Sequence, residues 1–371
     1  MITIVGLQRL PDLSMKYRLS AMQSIHHLNC ADSRRMENIN DNSVNLIVTS
    51  PPYPMIAMWD EQFSAGDVEV AAALERNDGL QAWEAMHRQL DRTWQESARV
   101  LQQGGFMCIN IGDAARSLDG EFRMYANHSR IISSLHSLGL SMLPLILWRK
   151  QTNAPNKFMG SGMLPAGAYV TLEHEYVLIF RKGGKRSFQS EASRQKRRRS
   201  ALLWEERNQW FSDVWDFKGS RQLHKGPRAR SGAFPFELAY RLIHMYSVQE
   251  DVVLDPFAGT GTTLLAAMAG GRDSIGIELE PAFIDYAQER MLGNVGGLNE
   301  YTRSRLQRHN EFVAKFTAEK GEPKHYNEFY RFPVVTSQEK ALQLPLLKKV
   351  TAEEVDTVRR RITAEHNWNR E

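Results

Sequence analysis

Cysteine is scarce. Cys30 and Cys108 are the only two in 371 residues, and neither stands in a metal-type spacing. That excludes a disulfide-built scaffold and a cysteine-ligated zinc site. Both thiols are expected reduced and buried in strands, as in a cytoplasmic protein. Long hydrophobic runs are missing too: no stretch reaches eighteen apolar residues, so no membrane span and no membrane partner are expected. The first residues, Met1 to Gly6, lack the basic start and long apolar core of a secretion signal. No internal repeat is apparent. What remains is 42% hydrophobic and 24% charged, an ordinary globular composition. The length suits one large α/β domain with insertions, or two domains.

Two motifs stand out against this background. The apolar run Val44-Asn45-Leu46-Ile47-Val48 reads as a buried strand, and Thr49-Ser50-Pro51-Pro52-Tyr53 stops it abruptly. A stiff polar and aromatic loop after a strand is where open α/β sheets place ligands. Far downstream, Val252-Val253-Leu254-Asp255-Pro256-Phe257-Ala258-Gly259-Thr260-Gly261-Thr262 reads as strand, Gly-rich turn and helix start. Gly259 and Gly261 let backbone approach a ligand closely. The next strand, Ser274 to Ile277, ends in Glu278, suited to ribose hydroxyls. It lies 19 residues after Gly259, close to the ~20 of nucleoside-binding βαβ units. Leu264 replaces the third glycine of the dinucleotide fingerprint, which argues for a nucleoside cofactor without pyrophosphate.

Charge is unevenly spread. Residues 181–230 hold 15 Lys or Arg against 5 Asp or Glu, a local charge of +10 that leaves −6 for the rest of a +4 chain. Such a segment on an acidic body is the footprint of a polyanion partner. Its densest part contains Lys196, Arg197, Arg198 and Arg199, with Trp204, Trp210, Phe211 and Trp215 close behind. Large aromatics beside positive charge suit base and phosphate contact, although at least two of these rings are expected in a small core.

Together the motifs resemble the exocyclic-amino DNA methyltransferases, over roughly residues 24–292. Ser50-Pro51-Pro52-Tyr53 matches that family's catalytic loop, and Asp255 to Thr262 its S-adenosylmethionine loop. The catalytic loop comes first, as in the circularly permuted β group. The resemblance implies a Rossmann-like, mostly parallel seven-stranded α/β sheet with a target-recognition insert. It implies double-stranded DNA as partner, a separately acting cognate restriction endonuclease, and a monomer or homodimer. By the same resemblance Asp32 contacts the cofactor adenine, Phe236 lies near its methionine part, and Asp255, Pro256, Phe257, Gly259, Gly261, Thr262 and Glu278 complete the cofactor set. Ser50 and the Pro51 carbonyl accept the N–H groups of the target amine, with Pro52 stiffening the loop. Tyr53 offers a face to a base flipped out of the duplex. Thr-Ser-Pro-Pro-Tyr is more typical of cytosine-N4 enzymes, and Asp-Pro-Pro-Tyr of adenine-N6 enzymes. Cytosine N4 is therefore favoured, with adenine N6 as the alternative and a nicotinamide-dependent oxidoreductase more distant. Cys30 and Cys108 lack the preceding proline that carbon-5 methylation of cytosine uses. The zinc ligands of a deaminase are absent from the sequence.

The chain is divided accordingly: a leader over 1–24, a catalytic half over 25–181, a basic target-recognition region over 182–231, a cofactor half over 232–293, and a charged, largely helical extension over 294–371. Strands are expected at 26–30, 44–49, 105–111, 142–149, 175–181, 252–254 and 274–277. A long helix is expected over 81–101, and a mobile loop from Trp59 to Gly79.

Overall fold

The computed structural model describes residues 22–150, 159–219 and 234–368. In chain order β1 (Met22–Cys30) and β2 (Val44–Thr49) precede α1 (Asp60–Gly66), α2 (Val68–Glu75) and α3 (Gly79–Val100). Then come β3 (Leu101–Ile111), the hairpin β4 (Ala114–Leu118) and β5 (Glu121–Tyr125), α4 (Asn127–Ser137) and β6 (Leu140–Arg149). A short pair, β7 (Met159–Gly160) and β8 (Ala168–Tyr169), leads to β9 (His174–Lys182). The basic region supplies α5 (Glu191–Arg199), α6 (Trp204–Trp210) and β10 (Val214–Asp216). The second motif lies among α7 (Phe236–Tyr246), β11 (Val252–Asp255), α8 (Thr262–Ala269) and β12 (Asp273–Glu278). The remainder is α9 (Pro281–Gly293), α10 (Val295–Lys320), the small pair β13 (His325–Tyr326) and β14 (Pro333–Val334), and the hairpin β15 (Leu346–Glu354) and β16 (Arg359–Asn367).

One ten-stranded sheet organises the fold, in the order β10-β6-β9-β3-β2-β11-β12-β1-β16-β15. Its central seven strands are the seven expected from the sequence. All of these run parallel except β9, which is antiparallel to both β3 and β6. Period-two alternation splits their side chains between two cores. Leu46, Val48, Cys108, Val177 and Ile179 face α7 and α8, while Ile47, Met107, Ile109, Leu178 and Phe180 face α3 and α4.

Three expectations are corrected. The extension after Asn294 is helical only to Lys320. It then returns as β16 and β15, which extend the sheet beyond β1. Ile362, Ala364 and His366 alternate inward along β16, a strand pattern that the flanking arginines and Glu365 obscure. The segment from Trp59 to Gly79 forms α1 and α2 instead of a loop. Asp67 caps α2 by accepting from the Glu69 amide, and Phe63, Val70 and Ala73 are buried against α3. The leader boundary also moves, because Met22, Gln23 and Ser24 already belong to β1; the rest of the expected leader lies outside the described residues.

Candidate active site

β2 and β11 lie side by side and parallel, with Leu46 opposite Val253, so the two motifs meet at the carboxyl end of the sheet. One carboxylate joins them. Asp255 is 2% exposed and accepts from Thr49 and Thr263 hydroxyls, both at 2.6 Å, and from the Phe257 amide at 3.0 Å. Burial pushes its carboxyl up to about 6 even though these three donors favour the charged form. Asp255 thus fastens β2 to β11 and α8, with both oxygens engaged by protein.

The turn that follows is shaped by its glycines. Gly259 has φ +47° and Gly261 φ +74°, both in the left-handed region. A Cβ on Gly261 would stand 2.8 Å from the Ala287 Cβ, whereas one on Gly259 would meet nothing nearer than 3.9 Å. Gly261 is therefore set by packing and Gly259 borders open space. Glu278 closes the turn. Its carboxylate accepts the Gly259 amide at 2.8 Å, the Leu279 amide at 2.8 Å and the Glu280 amide at 3.1 Å. Burial raises its carboxyl above the ordinary value despite those donors. Three amides leave room for one further hydroxyl donor on its two oxygens.

The other residues expected to hold the cofactor are placed as follows. Pro256 is buried, and Phe257 packs edge-on against Trp94 at 6.0 Å. Thr262 opens α8 at 7% exposure. Phe236 opens α7, half-buried, beside Tyr240 and Tyr301. Asp32 follows β1, whose Cys30 pairs with Glu278. Its carboxylate is gripped by Arg34 at 2.7–3.0 Å through Nε and Nη2. Burial alone would raise Asp32, but the Arg34 hydrogen bonds hold it below the ordinary value. A contact with adenine would therefore have to be shared with Arg34.

In the catalytic loop Pro51 and Pro52 are buried, while Ser50 and Tyr53 are half-exposed. Ser50 Oγ donates to Tyr53 Oη at 3.1 Å, and Tyr53 Oη donates to Glu175 Oε2 at 3.0 Å. Asn110 Nδ2 reaches both Tyr53 Oη, at 2.8 Å, and Glu175 Oε2, at 2.6 Å. Lys150 holds the other oxygen of Glu175. Burial and the Glu175 charge push the Tyr53 phenol well above its ordinary value, so it stays a neutral donor. The loop is pinned from behind as well. Asn127 Nδ2 donates to Pro54 O at 3.0 Å and Gly112 O at 3.1 Å, and its own Oδ1 accepts from Trp83 Nε1 at 2.7 Å. Gly112 lies against the Tyr53 ring, where a Cβ would come within 2.9 Å.

Asn110 and Lys150 are not among the residues that the sequence motifs single out, and Glu175 stands in a stretch, Leu172 to Tyr176, that resembles the family but to which the resemblance assigns no role. A signal exists all the same: Asn110 interrupts the apolar run Met107 to Ile111, and Glu175 opens the run Tyr176 to Phe180. A polar residue at an inward position of a buried strand needs a partner.

Lys196, Arg197, Arg198 and Arg199 do not join this site. They form the last turn of α5, where Lys196 and Arg199 pair with Glu250 at 2.8 Å and 3.2 Å. Glu250 precedes β11, so this cluster is at the amino end of the parallel strands, away from Ser50. Clustering in sequence carries no information on which end of the sheet it will occupy. Of the neighbouring aromatics, Trp210 and Trp215 are each 2% exposed and belong to the core. Among the described residues no group of His, Cys, Asp and Glu could hold a metal ion.

Comparison with known proteins agrees with this geometry. The N6/N4 methyltransferase family, described as DNA methylase, matches residues 44–289. The Type II methyltransferase M.MthZI of Methanothermobacter thermautotrophicus is 48% identical over 327 residues, covering 87% of this chain and 91% of its own. M.MjaI of Methanocaldococcus jannaschii, also a Type II methyltransferase, is 45% identical over 277 residues, covering 72% and 91%. A DNA modification methylase of Thermus thermophilus, TTHA0409, solved in complex with S-adenosyl-L-methionine, superposes with a TM-score of 0.56 at 34% identity, covering 73% of this chain and 96% of its own.

Proposed function

Since this chain belongs to the N6/N4 DNA methylase family, as a β-group, S-adenosylmethionine-dependent enzyme of the restriction-modification kind, we propose that it methylates the N4 amine of a cytosine turned out of the duplex. Membership removes the nicotinamide-dependent alternative. The observation that carries the reading is the joint at Asp255, which sets the Ser50 loop beside the Gly259 turn.

The turn fits the cofactor. Gly259 borders open space, Glu278 keeps acceptor capacity for a ribose hydroxyl, and Phe236 stands half-buried at the start of α7. S-adenosylmethionine, when bound, supplies a methyl group on a positively charged sulfur. The rest is done by this chain. An exocyclic amine is a weak nucleophile because its lone pair is spread into the ring. Ser50 Oγ and the Pro51 carbonyl accept its two N–H hydrogens, which favours a pyramidal nitrogen with a directed lone pair. These fixed dipoles stabilise the positive charge that develops there. Tyr53 walls the base pocket, its ring held by Gly112 on one side and its hydroxyl by Glu175 and Asn110. The same hydrogen bonds give the departing proton a route: Ser50 passes its own proton to Tyr53, and Tyr53 to Glu175, as the amine proton moves onto Ser50.

The target-reading surface lies at the same end of the sheet. β6 and β10 run parallel to β2, so both finish at the end of the sheet that carries the Ser50 loop, and Lys150 after β6 reaches Glu175. The β4–β5 hairpin adds Phe122, stacked at 4.7 Å on Tyr169 of β8, and the β7–β8 connection exposes Met163 and Leu164. Exposed apolar side chains beside a base-flipping site suit contact with unstacked bases. A separately acting endonuclease of the same specificity belongs to this reading.

The test is to incubate the protein with labelled S-adenosylmethionine and unmethylated genomic DNA, digest to nucleosides, and identify the labelled product by mass. N4-methylcytosine is expected. N6-methyladenine would keep the mechanism and overturn the choice of base.

A further inference from the structure

The amino end of the sheet carries a second cleft, of about 1530 Å³, bounded by α5, α6, the last turn of α7 and residues 328–343. The methyl-transfer chemistry uses none of it. Its wall is anchored just ahead of β11, where Arg199 pairs with Glu250 and Arg186 grips Asp251 at 2.5 Å and 2.8 Å. Asp255 and the catalytic loop lie at the other end of the same strand.

The lining is short of negative charge. Six arginines and Lys340 face one carboxylate, Glu328. The acids close by are shared: Glu191 serves both Arg194 and Arg198, and Glu250 serves both Lys196 and Arg199. Two polar atoms of the lining, Arg199 Nε and Gln343 Oε1, have no partner among the described residues, and Gln343 is only 5% exposed. Aromatic rings are interleaved with the charge. Arg197 lies over Phe188 at 4.9 Å, and Arg207 over Phe211 at 5.5 Å, with Phe211 44% exposed. Cationic side chains alternating with aromatic rings are what grooves for nucleic-acid strands present. The volume exceeds the ~300–1,000 Å³ usual for small-molecule sites, which favours a polymer over a metabolite. The chain ahead of Met22 carries Arg9, Lys16 and Arg18 against Asp12, the wrong sign to fill the cleft.

We propose that this cleft binds a nucleic-acid strand, as a site separate from the one that presents the target base. Phosphodiester oxygens pair with Arg207, Arg331 and Lys340, and a base stacks on Phe211. The inference does not depend on which base is methylated.

The experiment compares the full chain with the triple variant Arg207→Gln, Arg331→Gln, Lys340→Gln. Binding of a short fluorescein-labelled oligothymidylate is followed by anisotropy over a range of salt, and methyl transfer is measured on a short duplex. A thermal melt checks that the variant is folded. Binding about tenfold weaker is expected, with a salt slope shallower by roughly 2, at ~0.7 per lost phosphate contact on a single strand. Methyl transfer to the short duplex stays at the wild-type rate. Unchanged binding and slope would overturn the proposal. So would a parallel fall in methyl transfer, because the cleft would then be part of the target path. Photocrosslinking of a bromodeoxyuridine oligonucleotide decides the matter even for a protein that methylates nothing. Crosslinks in the peptide holding Phe211 support the separate site, and crosslinks confined to the Ser50–Tyr53 peptide refute it. A duplex that displaces the oligothymidylate would identify duplex DNA as the source of the same phosphodiesters.

Discussion

The two ends of the sheet treat charge in opposite ways. At the carboxyl end three carboxylates are supplied with donors from the protein: Asp255 by two hydroxyls and an amide, Glu278 by three amides, Glu175 by Tyr53, Asn110 and Lys150. At the amino end cations outnumber the acids that line the cleft, and Arg199 Nε has no partner among the described residues. The first arrangement fixes geometry before any ligand arrives, as chemistry on a weak nucleophile requires. The second leaves charge to be neutralised from outside, as a site for a mobile polymer requires. Two kinds of contact with one anionic substrate are thus built on one scaffold.

The contrast is broken most severely at Asp255. Asp255→Ala strips the acceptor from Thr49, Thr263 and the Phe257 amide. It should cost about 3 kcal/mol or more in urea unfolding and reduce methyl transfer sharply. An unchanged midpoint would show that the joint is dispensable. The titration of the same residue gives the next effect. Its folded value, about 6, lies above the ordinary 3.8, so the fold favours the protonated form. That contribution is fully present below pH 3.8 and lost as pH rises through 6. The stability of wild type relative to Asp255→Asn should therefore be greater at about pH 4 than at about pH 7, by up to about 3 kcal/mol. A constant difference across that range would mean that Asp255 does not titrate there.

Glu175→Gln keeps the shape but removes the proton acceptor. Single-turnover methyl transfer should slow about 100-fold with cofactor affinity unchanged. If cofactor affinity falls instead, Glu175 supports the fold of the site and not the reaction. At the amino end Lys340→Gln alone should shift thermal stability by less than about 0.5 kcal/mol, since its pairing with Glu328 is exposed. A large loss there would erase the distinction between a saturated end and an open one.

The central sheet is legible in the sequence because its strands are short apolar runs closed by turn residues, and each of the seven sits in the sheet. The edges are not. Among the described residues β15 pairs only with β16, so Lys348, Lys349, Glu353 and Glu354 are tolerated on it and mask the period of two. The acidic residues of α1 and α2 suggest a loop, although Phe63, Val70 and Ala73 mark a buried face. The two motifs are legible as motifs, but not their joint, since Thr49 and Asp255 are 206 positions apart. Asn110 escapes notice, and Glu175 is noticed without a role, because each is a lone polar residue whose partner comes from another part of the chain. The basic run is visible, yet charge density names a partner without naming the face on which it binds.

The strand order also dictates when this enzyme becomes an enzyme during synthesis. β1 and β2 leave the ribosome early, yet in the sheet they are separated by β11 and β12, which are made far later. A nascent chain that has not reached Asp255 holds β1 with no neighbour on its inner side, and its Ser50 loop lacks the Asp255 anchor. The sheet is completed from the middle. Methyl transfer is therefore expected to wait on the late strands, and a chain cut short between Tyr53 and Val252 carries the whole Ser50–Tyr53 loop without its Asp255 anchor.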